Sequence, residues 1–174
     1  SFDKSFYQIV GIGDSFTSGY CLPDSFSFMS LVKKEYPLTI NLGVTGTGPL
    51  HQLAILKEYV SSLKPKVVLW NFFEGNDLQE LVIENNNTIL KKYLNNSYTQ
   101  NLKQEQFYID QSMPKESKEK DIEMDLIDRK SIENFIFLDR LRTQSGLHKQ
   151  EIKPNNFNLN LLESIIIMAR DFIE

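Results

Sequence analysis

The apolar positions change period along the first half of the chain, and each change marks an element. Phe6-Tyr7-Gln8-Ile9-Val10-Gly11-Ile12-Gly13 is a short β-branched and aromatic run that stops at glycine, which predicts a buried strand. Over 25–36 the residues Phe26, Phe28, Met29, Leu31 and Val32 fall at helical spacing, and Pro37 ends the run. Leu38-Thr39-Ile40-Asn41-Leu42 predicts a second strand, followed by a loop holding Gly43, Gly46 and Gly48. Pro49 suits the first turn of a helix, where its missing N–H costs nothing. Leu53, Leu56, Tyr59, Val60 and Leu63 then mark one helical face until Lys64-Pro65-Lys66 stops it. Val67-Val68-Leu69-Trp70-Asn71-Phe72-Phe73 is the most strand-like segment of all.

Strands alternating with helices imply a parallel sheet with right-handed crossovers. Near-continuous apolar strands imply that helices cover both faces of it. The expected fold is therefore a flavodoxin-like three-layer α/β sandwich. Past residue 84 the pattern weakens. Residues 85–130 are rich in Asn, Gln, Lys and Glu, and 115–128 is dense in charge of both signs. An insertion on the core is one reading of this stretch, and a lid over a site is another. Helical spacing returns over 131–143 with Ile132, Phe135, Ile136 and Leu138. The final helix is expected to open at the capping-box-like pair Asn160 and Glu163. The expected organisation is one domain over 1–174, with its core at about 6–84 and 131–174.

Composition narrows the function. A chain of 174 residues with 41% hydrophobic and 24% charged residues can bury one sizeable core. The net charge of -4 argues against a nucleic-acid surface, whose affinity comes from clustered Lys and Arg. The lone Cys21 can form neither an internal disulfide nor a metal cluster, and it leaves bacterial cytoplasm and periplasm equally open. No apolar run approaches the roughly 18 residues that span a bilayer; the longest, 159–173, is interrupted by Asn160, Glu163, Arg170 and Asp171. A soluble protein is the expectation.

Candidate chemistry sits at three strand ends: Gly13-Asp14-Ser15, the loop from Gly43 to Gly48, and Gly75-Asn76-Asp77. Open α/β sheets place their ligands there. A dinucleotide fingerprint fails because Phe16 stands where its third glycine belongs, and a phosphate loop fails because Tyr20 stands where lysine is required. Ser15, directly after a strand, has an exposed hydroxyl and a free backbone N–H beside it; taken alone, it reads as an ordinary helix cap.

Three blocks in register are more specific. Gly13-Asp14-Ser15-Phe16-Thr17-Ser18-Gly19, Asn41-Leu42-Gly43-Val44-Thr45-Gly46 and Glu74-Gly75-Asn76-Asp77 resemble, in order and spacing, the signature blocks of the SGNH/GDSL serine hydrolases. The resemblance spans about Tyr7 to Leu81. It implies Ser15 as nucleophile and an oxyanion hole made by the backbone N–H groups of Ser15 and Gly46 and the side-chain amide of Asn76. It also implies an acyl ester of a carbohydrate or lipid as substrate, with no metal or organic cofactor. Asp14 and Asp77 are expected to serve as local hydrogen-bonding residues.

A serine hydroxyl needs an adjacent base. The family takes it from a histidine in a late Asp-x-x-His block. His148 has Ser145 at the matching position, and His51 follows Pro49-Leu50, so neither fits. The apolar helix reaching Glu174 should feed a further strand, and the expectation is a C-terminally truncated hydrolase whose histidine lies beyond it. A non-catalytic domain of the same type, binding a glycan or ester or docking a partner, is the alternative.

Overall fold

The computed structural model describes residues 6–112 and 156–173. The chain divides into two units: residues 1–103 with 154–174, and residues 104–153. Within the first unit, strand β1 (Ile9–Ile12) leads to a single turn α1 (Ser15–Ser18), a 3₁₀ turn (Asp24–Phe26) and helix α2 (Phe28–Glu35). Strand β2 (Thr39–Asn41) is followed by α3 (Pro49–Ile55), a π-helical turn (Leu56–Val60) and a last turn α4 (Ser61–Leu63). Strand β3 (Val67–Trp70), α5 (Asp77–Glu84) and α6 (Thr88–Lys92) come next. Helix α7 (Leu102–Ser112) runs into the second unit, and α8 (Asn156–Ile173) returns to the first.

The sheet is parallel, in the order β2-β1-β3. Ile9 pairs with Thr39 on one side and with Val67 on the other; Ile12 pairs with Trp70. All four residues of β1 are buried, which a central strand covered on both faces requires. The chain goes from β1 outward to β2 and then back across β1 to β3, so the strand order reverses between β1 and β3. In open α/β sheets ligands bind outside the carboxyl ends of the strands at such a reversal.

Val10, Ile12, Leu50, Leu53, Leu56, Leu81 and Ile165 form the centre of the core. Each such side chain contributes at most about 1.5–3 kcal/mol on burial, an upper bound because the unfolded chain is already partly compact. Helix α8 packs on α3 and α5 and delivers Ile165 and Ala169 to this cluster. Lys64, in the left-handed conformation at φ 45°, ends the long helix just before Pro65.

The parallel α/β arrangement agrees with the expectation from the period changes. Several boundaries differ. Helix α8 begins at Asn156, so Asn160 lies within it and its carbonyl accepts from Ser164 Oγ at 2.9 Å. Residues 85–103 belong to the core unit and not to an excursion, since Tyr93 is fully buried there. Of the second unit, 104–112 are described, where Gln106 Nε2 donates to Asp110 Oδ1 across one helical turn at 2.8 Å. The helix expected over 131–143 and His148 lie outside the described residues.

Candidate functional site

Ser15 occupies the first position of α1, at the carboxyl end of the central strand. Asp14 caps that turn, accepting from the Phe16 N–H at 2.9 Å, and Gly19 closes it in the left-handed conformation. Four residues cannot hold a helix by themselves. The turn is held instead by the loop after β2. Val44 N–H donates to the Gly13 carbonyl at 3.0 Å, Asn41 Nδ2 to the Thr17 carbonyl at 2.7 Å, and Ser18 Oγ meets Thr45 Oγ1 at 3.1 Å. The two loops touch so closely at Gly43 that a Cβ there would lie 2.5 Å from Ser18 N.

Gly46 differs. It sits at φ 74°, where side-chain-bearing residues are strained, and nothing lies within 4 Å of where its Cβ would be. It is an exposed backbone kink in the loop after β2.

The third loop joins the other two through β3. Asn71 N–H donates to the Ile12 carbonyl at 2.9 Å, and the Phe73 ring packs on Phe16 with centroids 4.4 Å apart. Asp77 Oδ2 accepts from Phe73 N–H at 2.8 Å and fixes the turn in which Asn76 precedes α5. The structure thus ties the Ser15 turn directly to both the Gly46 loop and the Asn76 loop.

The free valences here are informative. Among the described residues, Ser15 Oγ, the Ser15 N–H, the Gly46 N–H and Asn76 Nδ2 enter no hydrogen bond. In contrast, Ser18 Oγ is committed to the Ser15 carbonyl at 2.9 Å. Beside Ser15 lies a hollow of about 210 Å³ lined by Ser15, Phe16, Gly19, Cys21 and Leu22. A hollow of similar size, about 230 Å³, lies at the far end of α4 between Val60, Lys64 and Phe172. Its serine, Ser61, is spent on the Lys57 carbonyl at 3.1 Å.

The sequence pattern gave no sign of Glu84. This buried carboxylate at the end of α5 accepts from the N–H groups of Gly48 (2.7 Å), Leu50 (3.0 Å) and His51 (3.3 Å), so it caps α3 from another element. Burial raises its pKa and the three N–H bonds partly offset that rise. His51, in the first turn of α3, is half-buried, and burial lowers its pKa. Its imidazole forms no hydrogen bond to Ser15 or to any other described residue. Asp77 is held up at about pH 6, chiefly by burial; the Phe73 N–H lowers it, and the Asp14 charge raises it further.

Among the described residues no group of three His, Cys, Asp or Glu side chains could hold a metal ion, and no helix is long and apolar enough to cross a membrane. No protein-family model, curated protein or solved structure matches the chain.

Proposed function

We propose that the chain is a serine hydrolase of the SGNH/GDSL type, on that family's flavodoxin-like sandwich, cleaving an acyl ester with Ser15 as nucleophile. The observation that carries this reading is the set of unspent groups at the carboxyl ends of β1, β2 and β3. One hydroxyl and three N–H donors, on loops tied together by hydrogen bonds and ring packing, are left without partners. N–H donors left free at strand ends and at the start of a helix suit a negative charge that develops during reaction.

Ser15 Oγ attacks the ester carbonyl and passes its proton to a general base. The oxygen that becomes negative accepts from the Ser15 N–H, the Gly46 N–H and the Asn76 amide. Each such donor is typically worth about 3–4 kcal/mol in the transition state. The base returns its proton to the leaving alcohol, and water then releases the acyl group from Ser15 by the same route reversed. The family resemblance gives the base as the histidine of an Asp-x-x-His block, a role that neither His51 nor His148 fits.

The hollow beside Ser15 supports an apolar acyl group of modest size. Phe16 and Leu22 form its walls, and about 210 Å³ is below the roughly 300 Å³ at which drug-sized sites begin. Hydrolysis of p-nitrophenyl esters by the protein from its full reading frame tests the reading. Activity should vanish in Ser15→Ala and fall about 10²–10³-fold in Asn76→Ala, as for loss of one oxyanion donor. Hydrolysis that persists in Ser15→Ala would sink the proposal.

A further inference from the structure

Asn76 stands at the start of α5, and Glu84 is the last residue of the same helix, about 12 Å further along at 1.5 Å per residue. The reaction above uses only the first. Yet the buried Glu84 carboxylate reaches across 33 to 36 residues of sequence to hold the chain just past Gly46. Its Oε1 accepts from the Gly48 N–H at 2.7 Å, and its Oε2 from Leu50 at 3.0 Å and His51 at 3.3 Å. The contact is also close-packed. A Cβ on Gly48 would lie 2.6 Å from Glu80 Cβ, 2.9 Å from Glu84 Oε2 and 3.0 Å from Leu81 N, so the loop lies on α5 only because glycine stands there.

Gly46 itself has nothing to locate it. Val44, Thr45 and Gly46 are exposed, whereas Thr47, Gly48, Pro49 and Leu50 are buried. The kink is therefore fixed from its two ends. On the side of the Ser15 turn, Val44 N–H donates to the Gly13 carbonyl at 3.0 Å. Across the kink, Thr47 Oγ1 donates to the Val44 carbonyl at 2.7 Å. Beyond it, Gln52 Nε2 donates to the Thr47 carbonyl at 2.9 Å, and Glu84 takes the Gly48 N–H.

We propose that Glu84 is a positioning residue for the oxyanion hole: its carboxylate sets where the Gly46 N–H stands relative to the Asn76 amide. Helix α5 then presents one donor at its start and holds the loop bearing another at its end. The inference rests on the hydrolase reading for what Gly46 donates to; the hold of Glu84 on the loop does not need Ser15 to react.

Two features favour this role over simple capping. Gly48 is the N-cap of α3 and has no side chain to accept from the first N–H groups, so the acceptor must come from elsewhere. It comes from the very helix that Asn76 opens, which couples the two turns. A carboxylate also forms charge-assisted bonds to N–H groups, roughly twice as strong as neutral ones. Such stiffness matters because oxyanion donors act only if they are in place before the charge develops.

Ester hydrolysis per folded molecule, with the protein from its full reading frame, tests the proposal in two variants that attack the contact from opposite sides. Glu84→Gln keeps the shape but leaves one acceptor oxygen for three N–H groups. Gly48→Ala wedges the loop off α5. In each, kcat and kcat/KM should fall together by about 10–100-fold, as for a donor displaced by about 1 Å, with KM within about threefold of wild type. A merely structural role lowers the folded fraction and leaves kcat per folded molecule unchanged. Wild-type kcat in folded Glu84→Gln overturns the proposal, and if that variant does not fold, wild-type kcat in Gly48→Ala does so.

Amide resonances give a reading without catalysis. In Glu84→Gln those of Gly46 and Thr47 should shift, while those of Gln100 and Leu102, held by Glu58, should not. An unmoved Gly46 resonance overturns the proposal. An inactive wild type refutes the hydrolase reading, and the Gly46 resonance then still decides whether Glu84 holds the loop, so the two failures are distinct.

Discussion

Two buried polar clusters flank the same long helix, and they are finished to different degrees. At its π-helical turn, Glu58 accepts from Tyr93 Oη at 2.6 Å, from Leu102 N–H at 2.8 Å and from Gln100 N–H. Lys57 beside it donates to the carbonyls of Tyr93 (3.1 Å) and Asn95 (2.6 Å). Burial lowers the Lys57 pKa and the Glu58 charge restores part of it; burial and the Glu58 bond push the Tyr93 phenol up, so it stays neutral. At the strand ends, Asp14 Oδ2, Thr17 Oγ1, Asn76 Oδ1 and Asp77 Oδ1 are all buried without partners. A satisfied network rigidifies a fold, whereas an unsatisfied one holds capacity for a proton or a ligand. The first cluster is a joint and the second the candidate site.

Substitutions can break or sharpen this contrast, beginning with the joint. Glu58→Ala leaves a buried phenol and two N–H groups without an acceptor and Lys57 without its counter-charge. It should cost about 3–5 kcal/mol, read as a fall in the urea midpoint. Removing Asp77's charge acts in the opposite direction above neutrality. Its folded pKa, about 6, exceeds the ordinary 3.8, so its contribution is fully present below about pH 4 and is lost as pH rises through 6. That shift corresponds to about 3 kcal/mol. Asp77→Asn should flatten this part of the stability–pH curve and, at pH 8, be at least as stable as wild type; burial acts on Glu84 in the same direction and will leave a residual slope.

Glycine substitutions are next in size. Gly43→Ala drives a Cβ to 2.5 Å from Ser18 N and 2.7 Å from the Thr17 carbonyl carbon, both backbone atoms. Overpacking of this kind costs about 1–3 kcal/mol, and thermal unfolding should show it. Gly46→Ala meets no clash, only the strain of φ 74°, so about 1–2 kcal/mol is expected. Smallest is Trp70→Phe, which leaves Gln52 Oε1 without a donor. A loss of about 1 kcal/mol is expected from the hydrogen bond, with somewhat more from lost packing.

The sequence revealed the joint and the site unequally. Strands β1, β2 and β3 are legible because each is a short apolar run bounded by glycine or proline, and α3 because Pro49 opens a clear apolar stripe. The strand-end blocks are legible because glycines, Asp14, Ser15 and Asn76 are local punctuation of the chain. Glu58 and Glu84 are not. Each is one acidic residue on a helix, and their partners lie 33 to 44 residues away, beyond the reach of any periodicity. Residues 85–103 misled for the same reason: their polar composition suggests an excursion, yet Tyr93 anchors them in the core through Glu58. The start of α8 was misplaced because Asn160 and Glu163 imitate a cap four residues inside a helix that begins at Asn156.

The claim that Ser15 is a nucleophile is tested most directly by reacting the protein from its full reading frame with a fluorophosphonate and mapping the adduct by peptide mass. The account predicts one adduct, on Ser15, that is absent from Ser15→Ala and is slowed by alkylation of Cys21, which lines the same hollow. A folded protein that takes up no label, or that carries it on another serine, would contradict it.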